Sequence, residues 1–195
     1  MVAGRRARAG RPARAATAPN PPGAHALADA VTRRLVRAAG VTADDLVLDL
    51  GAGRGAVTLP LARTGARVIA VERDPRLAAR LERRVAGLPN VSVVAGDALT
   101  LPLPRRPYRV VANIPFGIGT ALLRRLVASP LSGADLVVQL GFGRRLAAAR
   151  PDRPEVVRWR VPFDVTLGPV LPARCFRPAP AVDAVVLRLR RRRPS

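Results

Sequence analysis

Short apolar runs recur along this chain at intervals that mostly leave room for one helix between neighbours, and that beat restricts the fold more than any other feature. Leu46 to Leu50, Arg67 to Val71, Val91 to Ala95, Tyr108 to Ala112 and Ala134 to Gln139 read as strands. Ala56 to Arg63, Pro75 to Ala86, Gly119 to Ala128 and Arg144 to Arg150 read as helices among them. Ahead of the first strand, Ala26 to Ala39 reads as a helix, with Leu27, Val31, Leu35 and Val36 near helical spacing and Gly40 as its stop. Strands that each wait for a helix run parallel, in a sheet covered on both faces. The beat changes at the end. Arg160 to Leu167 and Val182 to Arg190 read as two strands joined by a Pro-rich loop, an antiparallel edge pair. In the second, Val185, Leu187 and Leu189 alternate with Val186, Arg188 and Arg190, as a half-buried strand requires. The expected fold class is α/β, a mostly parallel sheet with helices on both faces and that edge pair.

A parallel sheet gathers the carboxyl ends of its strands on one rim, and ligands bind there. Four consecutive strands place informative residues at that rim. The first ends Leu48-Asp49-Leu50-Gly51-Ala52-Gly53-Arg54-Gly55, where glycine permits a sharp turn and a close ligand approach. Val57 and Thr58 occupy the place of the third glycine, so the dinucleotide fingerprint is incomplete and a tight turn without a ligand is the plainer alternative. The second ends Val71-Glu72, at about the 20-residue spacing where a carboxylate can accept from both hydroxyls of a ribose. The third ends Ala95-Gly96-Asp97, and Asp97 could accept from an adenine amine.

The fourth runs into Asn113-Ile114-Pro115-Phe116-Gly117. Pro115 bars continuation of both strand pairing and helix, which leaves Asn113 at the strand's end. An amide, carbonyls exposed by the proline break and an aromatic ring make a clamp for a flat base: Asn113 can accept from an exocyclic amine while Phe116 stacks. The plainer alternative is a strand ending in a turn with a core Phe. Any one acidic residue at a strand end is more often a helix cap or solvated, but such residues in succession would line one edge.

Charge narrows the partner. The formal charge of +21 comes from 34 basic against 13 acidic residues, and every basic residue is Arg. A GC-rich genome accounts for Arg over Lys, but not for the imbalance, which points to a polyanion because Arg makes bidentate phosphate contacts and stacks on bases. Nucleic acid is favoured over membrane, since no apolar run reaches the ~18 residues of a spanning helix. Arg5, Arg6, Arg8, Arg11 and Arg14 stand among Ala, Gly and Pro in residues 1–22, a stretch that reads as a disordered basic arm. Its Gly and Pro argue against an organellar presequence, and no apolar signal core is present. With Arg144 and Arg145, and with Arg188, Arg190, Arg191, Arg192 and Arg193 near the end, this arm forms the expected RNA-binding set. The single Cys175 excludes an internal disulfide and suits a reducing, cytoplasmic setting; with one His, no zinc cluster and no metal site is expected. Cys175 has no nearby His to activate it and reads as a packed or surface thiol.

The rim pattern resembles class I S-adenosylmethionine-dependent methyltransferases, a Rossmann-like fold, and Asn113-Ile114-Pro115-Phe116 is similar to the Asn/Asp-Pro-Pro-Phe/Tyr loop of amino-methylating enzymes. More narrowly, Leu46 to Asp97, then Asn113 to Ile118, Asp135-Leu136-Val137-Val138-Gln139 and Phe176-Arg177-Pro178-Ala179-Pro180-Ala181-Val182-Asp183 resemble the rRNA adenine N6-methyltransferase family. That family includes the macrolide–lincosamide–streptogramin B resistance enzymes acting on 23S rRNA and the small-subunit dimethyladenosine transferases. The resemblance spans Gly23 to Arg190. Phe116 followed by Gly-Ile, and the Asp-Leu-Val-Val-Gln strand, resemble the resistance branch; the small-subunit branch usually has Tyr followed by Asn.

The resemblance implies methyl transfer from S-adenosylmethionine to the N6 amine of an adenine in 23S rRNA by a monomer, with macrolide-type resistance as the consequence. It implies cofactor contacts at His25, Leu27, Asp49, Gly51, Gly53, Glu72, Asp97, Ala98 and Asn113, and a catalytic loop of Asn113, Ile114, Pro115 and Phe116. The Ile114 carbonyl would share the target amine with Asn113. Where the family reads Gly-Gln-Asn/His-Phe-Leu, this chain has Gly23-Ala24-His25-Ala26-Leu27; Ala24 and Ala26 remove a side-chain contact and an aromatic packing residue, leaving backbone contacts at His25 and Leu27. His25 is not read as a general base. The implied domains are the arm at 1–22, a catalytic domain at 23–190 and a basic tail at 191–195, with the family's small C-terminal helical domain absent. Two alternatives remain: a small-subunit-type or organellar rRNA dimethyltransferase, and a noncatalytic RNA-binding relative.

Overall fold

A computed structural model of the chain describes residues 25–151 and 153–192. In order, it contains β1 (Ala26–Leu27), α1 (Asp29–Ala39), β2 (Leu46–Leu50), α2 (Thr58–Ala62), β3 (Arg67–Glu72), α3 (Pro75–Val85), β4 (Val91–Ala95) and β5 (Tyr108–Asn113). A 3-10 turn at Phe116–Ile118 leads into α4 (Gly119–Val127), then β6 (Leu131–Gln139), α5 (Leu140–Ala147), α6 (Pro154–Trp159), β7 (Phe163–Leu171), β8 (Phe176–Arg177) and β9 (Ala184–Arg191).

The seven-stranded sheet has the order β4-β3-β2-β5-β6-β9-β7, and β1 pairs with β8 in a small separate ladder. β4, β3, β2, β5 and β6 pair parallel, whereas β9 is antiparallel to both neighbours. From β2 the chain steps outward to β3 and β4, then crosses back to β5 on the other side of β2. That crossing opens a crevice between the strand ends of β2 and β5. The strands are apolar on successive residues because both faces are covered. Leu48, Leu50, Val110 and Leu136 pack with α4 residues Leu122, Leu123 and Leu126 on one face, while Val47, Val68, Val111 and Val137 pack with Leu35, Val36 and Leu61 on the other.

Several boundaries differ from the sequence reading, each for a tertiary reason. Helix α1 starts at Asp29, because Ala26 and Leu27 are drawn into extended pairing with Arg177 and Phe176, and the Ala28 N–H bonds the Cys175 carbonyl. Strand β6 begins at Leu131 rather than Ala134; its Gly133 lies where an added Cβ would come 3.2 Å from the Leu189 carbonyl, so the apparent breaker allows close strand approach. Helix α5 occupies Leu140–Ala147 instead of Arg144 to Arg150, for a similar reason at Gly143. Helix α6, led by Pro154, ends at Trp159 and residues 160–162, read as the start of a strand, form the turn that follows it; β7 runs from Phe163 to Leu171 past a shift in register between Leu167 and Val170, around Gly168 and Pro169. The antiparallel pair is present, with β7 at the edge and β9 inserted between it and β6. That insertion buries Val186 as well as Val185, which alternation alone leaves exposed. No helix among the described residues is long and apolar enough to cross a membrane.

Candidate active site

The turn after β2 owes its shape to glycine. Gly51 and Gly53 have φ of 79° and 56°, a region L side chains rarely adopt, and the N–H groups of Gly51 and Ala52 donate to the Val71 carbonyl at 2.9 and 3.0 Å. A Cβ on Gly51 would come within 3.2 Å of the Pro115 Cδ. This glycine therefore lets the turn after β2 touch the loop after β5.

Each neighbouring strand ends in a side chain that organises backbone around the crevice. Glu72 accepts from the Gly53 N–H through Oε2 at 2.7 Å and from the Asp74 N–H through Oε1 at 2.8 Å, so one carboxylate ties two loops. Asp97 accepts from the Leu99 N–H at 2.8 Å, and the Arg73 Nε lies 3.8 Å from its other oxygen. Asn113 donates from its amide nitrogen to the His25 carbonyl at 2.6 Å. That bond orients the amide and leaves its oxygen as the acceptor. His25 in turn shares a 2.9 Å hydrogen bond with the Pro178 carbonyl through Nδ1, and its ring centroid lies 5.9 Å from that of Phe116 at a tilt of 32°. Through these bonds and the β1–β8 ladder, the 175–178 segment holds the start of the described chain against the base loop.

Asp49 is set one layer deeper. It is 1% exposed; Oδ2 accepts from the Thr58 hydroxyl at 2.6 Å, while Oδ1 is buried with no hydrogen-bond partner. Burial pushes its carboxyl up to about 7, the Thr58 hydrogen bond opposes this, and the neighbouring Glu72 charge adds to it. Thr58, which reads in sequence only as a departure from a glycine fingerprint, is the partner that holds this acid. An acid followed nine residues later by a hydroxyl at the start of a helix was the available signal.

All of the expected cofactor and base-loop residues border one cavity of about 510 Å³. His25, Leu27 and Asn113 line it together with Asp49, Gly51 and Gly53 from the end of β2 and the turn after it. Glu72, Asp97 and Ala98 line the β3–β4 side, and Ile114, Pro115 and Phe116 the other. The volume is in the range of cavities that hold cofactor-sized ligands.

The expected RNA-binding arginines divide. Arg144 and Arg145 lie on α5, which leaves the same rim as Asn113, and the Arg145 guanidinium lies 6.0 Å from the Phe142 ring centroid. The later arginines lie toward the opposite rim, because β9 runs antiparallel: Arg190 stands opposite Gly133, toward the other end of β6. Arg188 and Arg190 approach the buried Asp135 carboxylate at 3.3 and 2.7 Å. Arg191 bonds the Leu131 and Ser129 carbonyls and lies over Phe163, and Arg192 pairs with Asp164. Their first partners are within the fold. Arg5, Arg6, Arg8, Arg11, Arg14 and Arg193 lie outside the described residues.

A sheet with a single strand reversed against the rest, opened between β2 and β5 onto such a cavity, defines the class I S-adenosylmethionine-dependent methyltransferase fold. The solved structure of the 23S rRNA methyltransferase ErmE matches it with a TM-score of 0.80 at 34% identity, covering 86% of this chain and 70% of that one. Within that class the chain belongs to the ribosomal RNA adenine dimethylase family, whose model matches residues 27–195. It is 41% identical over 163 residues to an rRNA methyltransferase of Streptomyces thermotolerans, covering 82% of this chain and 54% of the relative. It is 38% identical over 186 residues to the ribosomal RNA small subunit methyltransferase A of Phenylobacterium zucineum, covering 89% of this chain and 65% of the relative. The chain thus spans between half and two thirds of the length of these two relatives.

Proposed function

We propose that this chain transfers a methyl group from S-adenosylmethionine to the N6 amine of an adenine in ribosomal RNA, with 23S rRNA as the favoured target and macrolide-type resistance as the result. It would act as a monomer in the cytoplasm. The observation that carries the reading is the single cavity shared by Asn113 and Phe116 with Asp49, Glu72 and Asp97.

The residues suit the cofactor. Asp49 Oδ1 is buried without a hydrogen-bond partner at the cavity, Glu72 and Asp97 offer carboxylates to hydroxyl and amine groups, and the glycine turn brings bare backbone at Gly51 and Gly53 to the cavity wall. S-adenosylmethionine would supply a methyl on a cationic sulfonium; as its carbon–sulfur bond breaks, the neutral thioether S-adenosylhomocysteine leaves and the charge passes to the amine nitrogen, which then gives one proton to solvent, so the protein is asked for little acid–base work. Adenine N6 is a poor nucleophile because its lone pair is delocalised into the ring. Hydrogen bonds from the amine to the Asn113 side-chain oxygen and the Ile114 carbonyl favour a more tetrahedral nitrogen, while Phe116 holds the extruded base by stacking. Alignment supplies much of the rate. Arg144 and Arg145, on the same rim, would hold neighbouring phosphates.

Primer extension on rRNA from cells expressing the protein, with macrolide susceptibility measured alongside, tests this: a stop at one 23S adenine together with raised tolerance is expected. A second reading, a small-subunit-type dimethyltransferase, is favoured by the 38% identity to the Phenylobacterium zucineum relative. Tritiated methyl appearing in small-subunit rRNA alone would decide for it.

A further inference from the structure

Helix α4 leaves the base loop at Gly119, and Arg125, on its second turn, reaches back to the loop that follows β4. One guanidinium nitrogen donates to the Ala98 carbonyl and the other to the Leu101 carbonyl, the latter at 2.7 Å. The same loop uses its N–H groups on Asp97: Leu99 donates to the carboxylate at 2.8 Å, and Thr100 and Leu101 donate to the Asp97 carbonyl at 3.0 and 2.9 Å. Asp97, Ala98 and Leu99 border the cavity. Three of the loop's N–H groups are thus taken by the Asp97 carboxylate and main chain, and two of its carbonyls by a side chain from another element.

We infer that Arg125 is a positioning residue: it sets the Asp97–Leu99 wall of the cofactor cavity from the helix that begins at the base loop, so that the two halves of the site share one support. The identity of the ligand rests on the methyltransferase reading; the clamp itself does not. A guanidinium fits this task because its planar fork presents separate N–H groups to two acceptors, whereas an ammonium concentrates its donors on one nitrogen.

The test uses the full chain carrying Arg125→Ala or Arg125→Lys. Calorimetry with S-adenosylmethionine should show about tenfold weaker binding for Arg125→Ala, the scale of one hydrogen bond from a charged donor, and a smaller loss for Arg125→Lys. Turnover at saturating cofactor should stay within about threefold, because the base loop keeps its own bonds. Amide exchange should accelerate at Leu99, Thr100 and Leu101 without a matching change in β2 and β5. Affinity unchanged within about twofold in folded Arg125→Ala, or exchange rising equally throughout the sheet, overturns the inference. If Arg125→Ala does not fold, the graded loss in Arg125→Lys carries the same decision. A wild-type protein that fails to bind S-adenosylmethionine overturns the methyltransferase reading instead, and loop exchange in the variants then decides for or against the clamp by itself.

Discussion

Asn113 has two tasks on one side chain. Its nitrogen holds the His25 carbonyl, and in the proposed reaction its oxygen accepts from the target amine. Asn113→Ala should reduce methylation to near background while RNA binding stays within a few-fold, measured by tritiated methyl incorporation and filter binding; near-normal turnover would remove it from the proposed role. Asp49 makes a different prediction, because burial raises its carboxyl from 3.8 to about 7. The folded protein keeps a proton that the unfolded chain releases near pH 4. This group's contribution to stability is therefore fully present at low pH, falls as pH rises toward 7 and levels off above it. Asp49→Asn, which cannot ionise, should abolish that part of the pH dependence in paired urea titrations at pH 5 and pH 8. A cationic or donating ligand lowers the carboxyl again, so cofactor binding should release protons below pH 7 and tighten between pH 6 and pH 8, with less tightening in Asp49→Asn. Neither property is visible in the string Leu48-Asp49-Leu50, which reads only as strand. The missing information is the Thr58 hydroxyl and the absence of a second donor.

At the level of elements, the parallel strands and helices were legible because each carries its own hydrophobic period. The pieces that were not legible are those whose conformation is set by a distant neighbour. Ala26-Leu27 satisfies a helical period but pairs with Phe176-Arg177, some 150 residues away in sequence. Gly141 and Gly143 look like helix breakers, yet α5 runs through both, and at Gly143 an added Cβ would come 2.5 Å from the Val185 Cγ1. Gly143→Ala should therefore destabilise the protein by about 1–3 kcal/mol despite the better helix propensity of alanine, read from urea denaturation. A gain in stability would show that the helix can shift outward at no cost.

Across the whole molecule, what matters is which rim a charge reaches. The excess of arginine reads in sequence as one polyanion-binding property, but the fold divides it. Arg109, Arg125, Arg160, Arg190 and Arg191 all donate to main-chain carbonyls, and Arg188 and Arg190 balance the buried Asp135. Replacing Arg144 and Arg145 together with Ala should weaken rRNA binding and flatten its salt dependence by about 0.7–0.9 for each phosphate that is no longer neutralised. Arg190→Ala should instead lower stability while leaving affinity for RNA within about twofold, since removing a partner of a buried carboxylate destabilises the fold. Equal losses of RNA affinity in both variants would mean that RNA spans both rims.

Periodicity and the residues at strand ends were sufficient to predict the parallel sheet and the side chains that border one cavity at its carboxyl-end rim, because these follow from local geometry repeated along the chain. Where β9 inserts, how the 175–178 segment holds His25 against Asn113, and which arginines take partners within the fold were decided only by tertiary structure. A side chain's partners across the sheet depend on strand order and direction, and neither is written in the residues beside it.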